Sequence, residues 1–247
     1  MPMKLILLFA IFFTLTIPSL SINADTFKVI TYTGGNPPYT IIKNGEITGI
    51  FKDLFSELEK QTGHEFILTP LPVARALKEF DLGNIDIEPG VNEKWRQHTE
   101  VTGLFTIPYE FSTEVLVYKP KNRIRINKVE DLYGKSIGIV RGYSYPQFDG
   151  AFAQGSIKKI ENVSEFNLLK QILLDRLKHV FIGYRTILYY QQQEPKYNTI
   201  EIGDVVSQVE VKLRVHPNKS HLLPKLNKAL ETMLEQGKIK AIYDKYR

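Results

Sequence analysis

The chain contains no cysteine. That excludes disulfides, thiolate catalysis and cysteine-based metal sites, and it leaves no residue for a lipid anchor at a processing site. Low-complexity tracts, Gly/Ser linkers and repeats at a fixed period are also missing. No basic stripe stands out. The 32 Lys and Arg against 27 Asp and Glu give a formal charge of +5, spread along 247 residues apart from short clusters such as Lys119 to Arg125. Nucleic-acid binding calls for a denser basic face, so none is expected. The five histidines, His64, His98, His179, His216 and His221, form no spaced metal pair. Neither a G-x-S-x-G nucleophile turn nor a phosphate-binding glycine loop occurs. No cofactor and no metal are therefore expected.

What is present begins with an apolar leader. Lys4 is the only charge before Asp25, Leu5 to Ile17 is almost wholly apolar, and Pro18-Ser19-Leu20-Ser21 breaks the run. A positive start, a short apolar stretch and small residues describe a secretory signal, and the run is too short to span a bilayer as a helix. The expected signal covers 1–24, with Ser21 and Ala24 as alternative cut positions. A processed chain without an anchor points to the periplasm.

The remainder, 43% hydrophobic over the whole chain, alternates between strand and helix patterns. Phe27 to Tyr32 reads as a strand and Gly34 to Pro38 as a dense turn. Phe51, Leu54, Phe55 and Leu58 share a helix face, and Gly63 sits where a C-cap belongs. Further strands are expected at Phe66 to Leu68, Ile85 to Ile87, Val115 to Tyr118, Ser136 to Val140, His179 to Ile182 and Val209 to Val215. Helices are expected at Val73 to Phe80, after Ser164 with Phe166, Leu169, Ile172 and Leu173 inward, and at the end, where Gly237 interrupts a face of Leu223, Leu226, Leu230, Met233 and Leu234. Asn127 with Glu130 reads as a capping box. Strands alternating with helices indicate an α/β protein, whose ligands bind beyond the C-terminal ends of strands. That directs attention to the turns at Gly34 to Tyr39, Glu88 to Arg96 and Arg141 to Tyr145.

The order of segments resembles the family-3 extracellular solute-binding proteins. It is carried by Pro37-Pro38-Tyr39, Gly49 to Leu54, Asn84 to Ile87, Asn92 to Arg96, Ile107-Pro108-Tyr109, Val129 to Lys135, Ile137 to Gly142 and the tail from Leu226 to Tyr246. The resemblance implies a two-lobed, type II periplasmic binding fold. Each lobe would be a mixed β-sheet flanked by helices, with a two-strand hinge. Lobe one would hold 25–111 and 209–247, and lobe two 112–208. It implies a monomer that captures a small polar, carboxylate-bearing ligand, an amino acid or a relative, and delivers it to an inner-membrane ABC permease. The alternatives are a dehydratase of the prephenate or arogenate type, with Glu88 as its acid, and a ligand sensor that partners a receptor.

The resemblance also nominates residues. Arg96 matches the arginine that grips the ligand carboxylate, with Trp95 as an extra residue before it. Arg141, Gly142 and Ser144 occupy the segment whose amides and hydroxyl hold the same group. Tyr39 follows the two prolines where an aromatic stacks on the ligand, and Tyr109, Tyr143 and Tyr145 are further aromatics of that kind. Glu88 is placed either to pair with a ligand ammonium or to orient Arg96 or Arg75, and Arg75 is a second candidate for the cleft. One departure stands out. Where the family's amino-acid binders carry an Asp for the α-ammonium, this chain has Gly183. Either Glu88 replaces that carboxylate or the ligand is no α-amino acid.

Overall fold

A computed structural model describes residues 24–33 and 35–246, so the expected signal segment lies outside the described residues except for Ala24. The first strand, β1 (Thr26–Tyr32), leads past the cis Pro37–Pro38 bond into the small hairpin β2 (Ile41–Lys43) and β3 (Glu46–Thr48). Helix α1 (Ile50–Thr62) then buries the face formed by Ile50, Phe51, Leu54, Phe55 and Leu58. It stops where Gly63 turns left-handed and its N–H reaches Glu59 O at 2.9 Å, the usual glycine stop. Each large apolar side chain so buried contributes roughly 1.5–3 kcal/mol, so this face rather than intrinsic propensity fixes the helix.

β4 (Glu65–Leu71), α2 (Val73–Asp81), β5 (Ile87–Val91) and β6 (Leu104–Phe105) complete the first half of the chain's sheet. The second half is built from β7 (Glu110–Tyr118), β8 (Ser136–Val140), α3 (Pro146–Ala153), β9 (Lys158–Asn162), α4 (Glu165–Leu173), β10 (His179–Gly183) and α5 (Tyr184–Gln193). The chain returns through β11 (Glu201–Val215) to α6 (Leu223–Glu235) and α7 (Lys238–Asp244). The strand order is β4-β1-β5-β11-β7-β10-β8-β9, with β6 also on β11. β11 belongs to both halves: its last residues pair antiparallel with β5 and β6, its earlier ones antiparallel with β7. The parallel pairs β1/β4 and β8/β9 lie at the two outer ends.

Each half packs apolar side chains on both faces of its sheet. In the first, α1, α6 and α7 cover one face with Phe27, Leu54, Leu213 and Leu230, while Ala76 and Phe80 of α2 meet Ile30 and Ile85 on the other. In the second, Leu168, Leu169 and Ile172 of α4 join Val117 and Val180, and Phe148 of α3 joins Leu116 and Phe181.

Four local expectations are corrected. The strand expected at Ile85 to Ile87 runs instead from Ile87 to Val91, so Glu88 lies inside the sheet and not in a turn. The box expected from Asn127 and Glu130 is made by Asp131, whose carboxylate accepts the N–H groups of Asn127 (2.7 Å) and Lys128 (3.1 Å) ahead of a short 3₁₀ turn. Ser164 does cap α4, accepting the Asn167 N–H at 3.3 Å, but the buried face is Glu165, Leu168, Leu169 and Ile172. A carboxylate thus takes an inward position for which an apolar residue was expected. Leu234, expected on the inward face of the last helices, is exposed, and Ala229 takes its place inside.

Candidate functional site

Between the two halves lies a cavity of about 90 Å³. On this scale about 10–15 Å³ holds one water, so the space admits a molecule of several heavy atoms. The first half lines it with Tyr32, Asn36, Tyr39, Phe51, Trp95, Arg96 and Tyr243. Glu114, Tyr143, Ser144, Tyr145, Glu165 and Gly183 line it from the second. Phe111, half exposed, stands on the strand that joins them.

Arg96 reaches this wall through a local device. Asn92 accepts the Lys94 N–H at 3.0 Å and starts the 3₁₀ turn Glu93–Arg96, which folds Arg96 back over β5. There Nε and Nη2 meet the two oxygens of Glu88 at 3.1 and 2.6 Å, a bidentate fork. Nη1 donates to Trp95 O at 3.0 Å. On the far side of Glu88 stands Arg214, its partner across the β5/β11 pairing, with Nη1 2.8 Å from Oε2. Arg214 is fully buried. It donates to Thr102 O at 2.8 Å, to Val101 O and to Thr99 Oγ1, and its guanidinium lies 3.9 Å from the Phe80 ring centre. Burial alone would raise the Glu88 carboxyl's pKa, but the two guanidiniums outweigh it and hold Glu88 below the usual carboxylate range. The trio carries one net positive charge, and Arg96 is the member that faces the cavity.

The second half presents carboxylates. Glu165 Oε1 accepts the Gly183 N–H at 2.9 Å and Oε2 the Thr186 hydroxyl at 3.1 Å, which ties the start of α5 to α4. Glu114, opposite Gly183 in the β7/β10 pairing, accepts only the Tyr145 hydroxyl, at 3.5 Å, among side-chain hydrogen bonds of the described residues. Burial, then the charge of Glu165, pushes the Glu114 carboxyl well up. Burial likewise pushes Glu165 up to about 7, against the pull of its two donors.

The two halves touch around this space. Val73, at the start of α2, packs into the second half's apolar cluster. A Cβ on Gly142 would come within 2.8 Å of Val73 Cγ1, and Gly142 has φ +89°, so glycine is required twice over. Tyr32 and Tyr143 approach at 6.5 Å between ring centres. On the other flank Arg185 of α5 lies 4.8 Å from the Tyr243 ring centre and 3.7 Å from Glu110.

Of the residues nominated from sequence, Tyr39, Arg96, Tyr143, Ser144 and Tyr145 line the cavity. The others stand elsewhere. Arg75 is exposed on α2 and pairs with Glu79 at 3.4 Å. Arg141 is exposed and pairs with Glu161 at 3.4 Å, because its strand has run out at the edge next to β9. Gly142 meets Val73 rather than the cavity. Two amides of that turn are already used, Arg141 N–H by Asn162 O and Tyr143 N–H by Val140 O. Tyr109 is buried in the first half's core behind Gly90. Glu88 is sealed beneath Arg96, so it takes the orienting role of its two expected ones, and a carboxyl held ionised is no acid for a dehydratase. Sequence reasoning missed Arg214, Glu114 and Glu165. The first two are charges within strands, and the third reads as an ordinary acid in a helix's first turn.

Among the described residues no group of three His, Asp or Glu is placed to hold a metal ion, and no helix is long and apolar enough to cross a membrane.

Comparison with known proteins agrees with this architecture. The probable amino-acid-binding protein YxeM of Bacillus subtilis is 24% identical over 231 residues, covering 90% of this chain and 84% of that protein. The L-cystine-binding protein TcyJ of Escherichia coli K12 is 23% identical over 225 residues, covering 86% and 79%. An ancestral arginine-binding protein, solved with arginine bound, superposes with a TM-score of 0.76 at 25% identity, covering 90% of this chain and 97% of that one. Its two-lobed periplasmic binding fold is the fold found here, as the order of segments implied. With residues 29–247 matching the bacterial extracellular solute-binding proteins, family 3, the chain belongs to that family.

Proposed function

We propose that this protein captures a small amino-acid-type ligand in the cavity between its halves and hands it to an inner-membrane ABC permease, catalysing nothing itself. The observation that carries this reading is a cavity walled from both halves, with a guanidinium on one side and carboxylates on the other. Arg96 meets the ligand carboxylate with the N–H groups that Glu88 leaves free. Tyr39 and Tyr143 supply ring faces, and Ser144 a hydroxyl. The names of its relatives, an amino-acid binder and a cystine binder, support the ligand class.

In this reading the lobes are 25–111 with 209–247, and 112–208. They hinge where β7 and β11 pass from one to the other, as hinged binders close around ligands. The segment 1–24 directs export, and the processed chain works as a monomer in the periplasm.

The test is thermal unfolding with single amino acids added. A ligand present at 100 times its dissociation constant stabilises by about 2.7 kcal/mol, several degrees for a protein of this size. Stabilisation by one or more amino acids, with dicarboxylates and sugars inert, supports capture. A chain stabilised by no amino acid overturns it.

A further inference from the structure

The family's usual Asp is replaced by Gly183, yet the space next to it is not empty of charge. A Cβ at position 183 would lie 3.4 Å from Glu165 Oε1 and 3.7 Å from Glu114 Oε1. Two carboxylates, brought in from α4 and β7, therefore border the place where a side chain at 183 would begin. They are not equivalent. Glu165 is saturated by the Gly183 amide and the Thr186 hydroxyl and serves to join α4 to α5. Among the described residues, the Glu114 side chain has only the long hydrogen bond from Tyr145. Neither is ion-paired to a cation among the described residues. The nearest guanidinium on α5, that of Arg185, is turned toward Glu110 and Tyr243.

A second observation on the opposite wall agrees. The Asn36 side-chain oxygen is buried and accepts no hydrogen bond from the described residues, and Asn36 lines the same cavity. Two acceptors thus stand without adequate donors in one aromatic-walled space. A buried carboxylate without a partner is costly, and Tyr39, Trp95 and Tyr145 put aromatic rings, which attract cations, in the cavity wall.

We infer that Glu114 is the acceptor for a cationic group of the ligand, an ammonium or a guanidinium, and that it sets the cavity's preference for cations. This rests on the capture reading above. It assigns the lobe-two acid to a strand residue across the sheet from Gly183.

The experiment is titration calorimetry at pH 8 on the full processed chain and on Glu114→Gln and Glu114→Asp. The probes are L-arginine, L-citrulline, agmatine and glutarate. The parent should bind at least one cation-bearing probe. Glu114→Gln should weaken that binding at least tenfold, and Glu114→Asp, which keeps the charge, should retain the parent's order of preference. If citrulline binds like arginine, the group held is the α-ammonium. If arginine and agmatine bind and citrulline does not, it is the guanidinium. Binding by Glu114→Gln within threefold of the parent, or a parent that prefers glutarate, overturns the inference while leaving capture intact. Should Glu114→Gln not fold, an order of preference changed in Glu114→Asp overturns it equally. A parent that binds none of the four probes overturns this inference, while the capture reading is decided separately by the thermal-unfolding series over all amino acids.

Discussion

Arg214 and Glu88 face each other across β11 and β5 at 2.8 Å, both fully buried, and Arg96 closes on Glu88 from the cavity side. The cavity-facing arginine is therefore set upon a support made of opposite and like charge. Removing one member strands the others in a dry setting. Arg214→Met should cost about 3–5 kcal/mol of stability, read as a lowered midpoint in urea. Arg96→Ala should destabilise as well as abolish carboxylate binding, since it leaves Glu88 with Arg214 as its one ion-pair partner. A midpoint unchanged in both variants would show that the support carries no load.

Glu114 and Glu165 give the ligand-free protein a pH dependence of definite sign. Both carboxyls are raised by burial, so the folded chain binds their protons more tightly than the unfolded one, where glutamate titrates near 4.3. Their stabilising contribution is complete below that value and is lost as pH rises through each raised folded-state pKa, which for Glu165 is about 7. Compared with the parent, Glu114→Gln should gain stability between pH 5 and pH 8, by at most ~1.4 kcal/mol per pH unit for each proton involved. Parallel midpoint curves for the two proteins over that range would contradict this. Comparing the two cancels the opposite trend from His64, His179 and His216, whose burial lowers their pKa values.

Gly142 faces Val73 across the gap between the halves. Gly142→Val adds a side chain where 2.8 Å is available to its first atom, at a φ of +89°. The backbone cost alone is roughly 1–3 kcal/mol. We expect a larger radius of gyration in solution scattering and weaker ligand binding, because the halves can no longer meet at this point. An unchanged radius with unchanged binding would show that the contact plays no part in closure.

Ser164 caps α4, the helix whose first residue is Glu165. Ser164→Ala should cost about 1 kcal/mol and loosen the Glu165 contacts to Gly183 and Thr186. Faster amide exchange at Gly183 is the specific sign. Exchange there at the parent's rate would separate the cap from the site.

Much of the frame was legible in the chain itself. Phe51, Leu54, Phe55 and Leu58 mark α1 because helical spacing leaves no other way to bury them together, and Gly63 and Gly237 mark stops because each adopts a positive φ. The cavity's lining was legible where a turn carries it, at Tyr39, Arg96, Tyr143, Ser144 and Tyr145. It was illegible where the partner is distant in sequence. Glu88, read as a turn residue, is 126 residues from Arg214, and only the β5/β11 register makes them neighbours. Glu114 sits in a strand and Glu165 in a helix's first turn, positions where acids commonly face water. Only the loss of a side chain at Gly183 hinted that an acid must arrive from elsewhere.

The long strand β11 threads both halves of the sheet and supplies the inner edge of each. No single cut in the chain separates the halves into complete pieces. Severed ahead of residue 201, β5 and β7 would each expose a bare row of amides and carbonyls to other strands. Neither half therefore has a complete sheet edge until that one segment is seated between them.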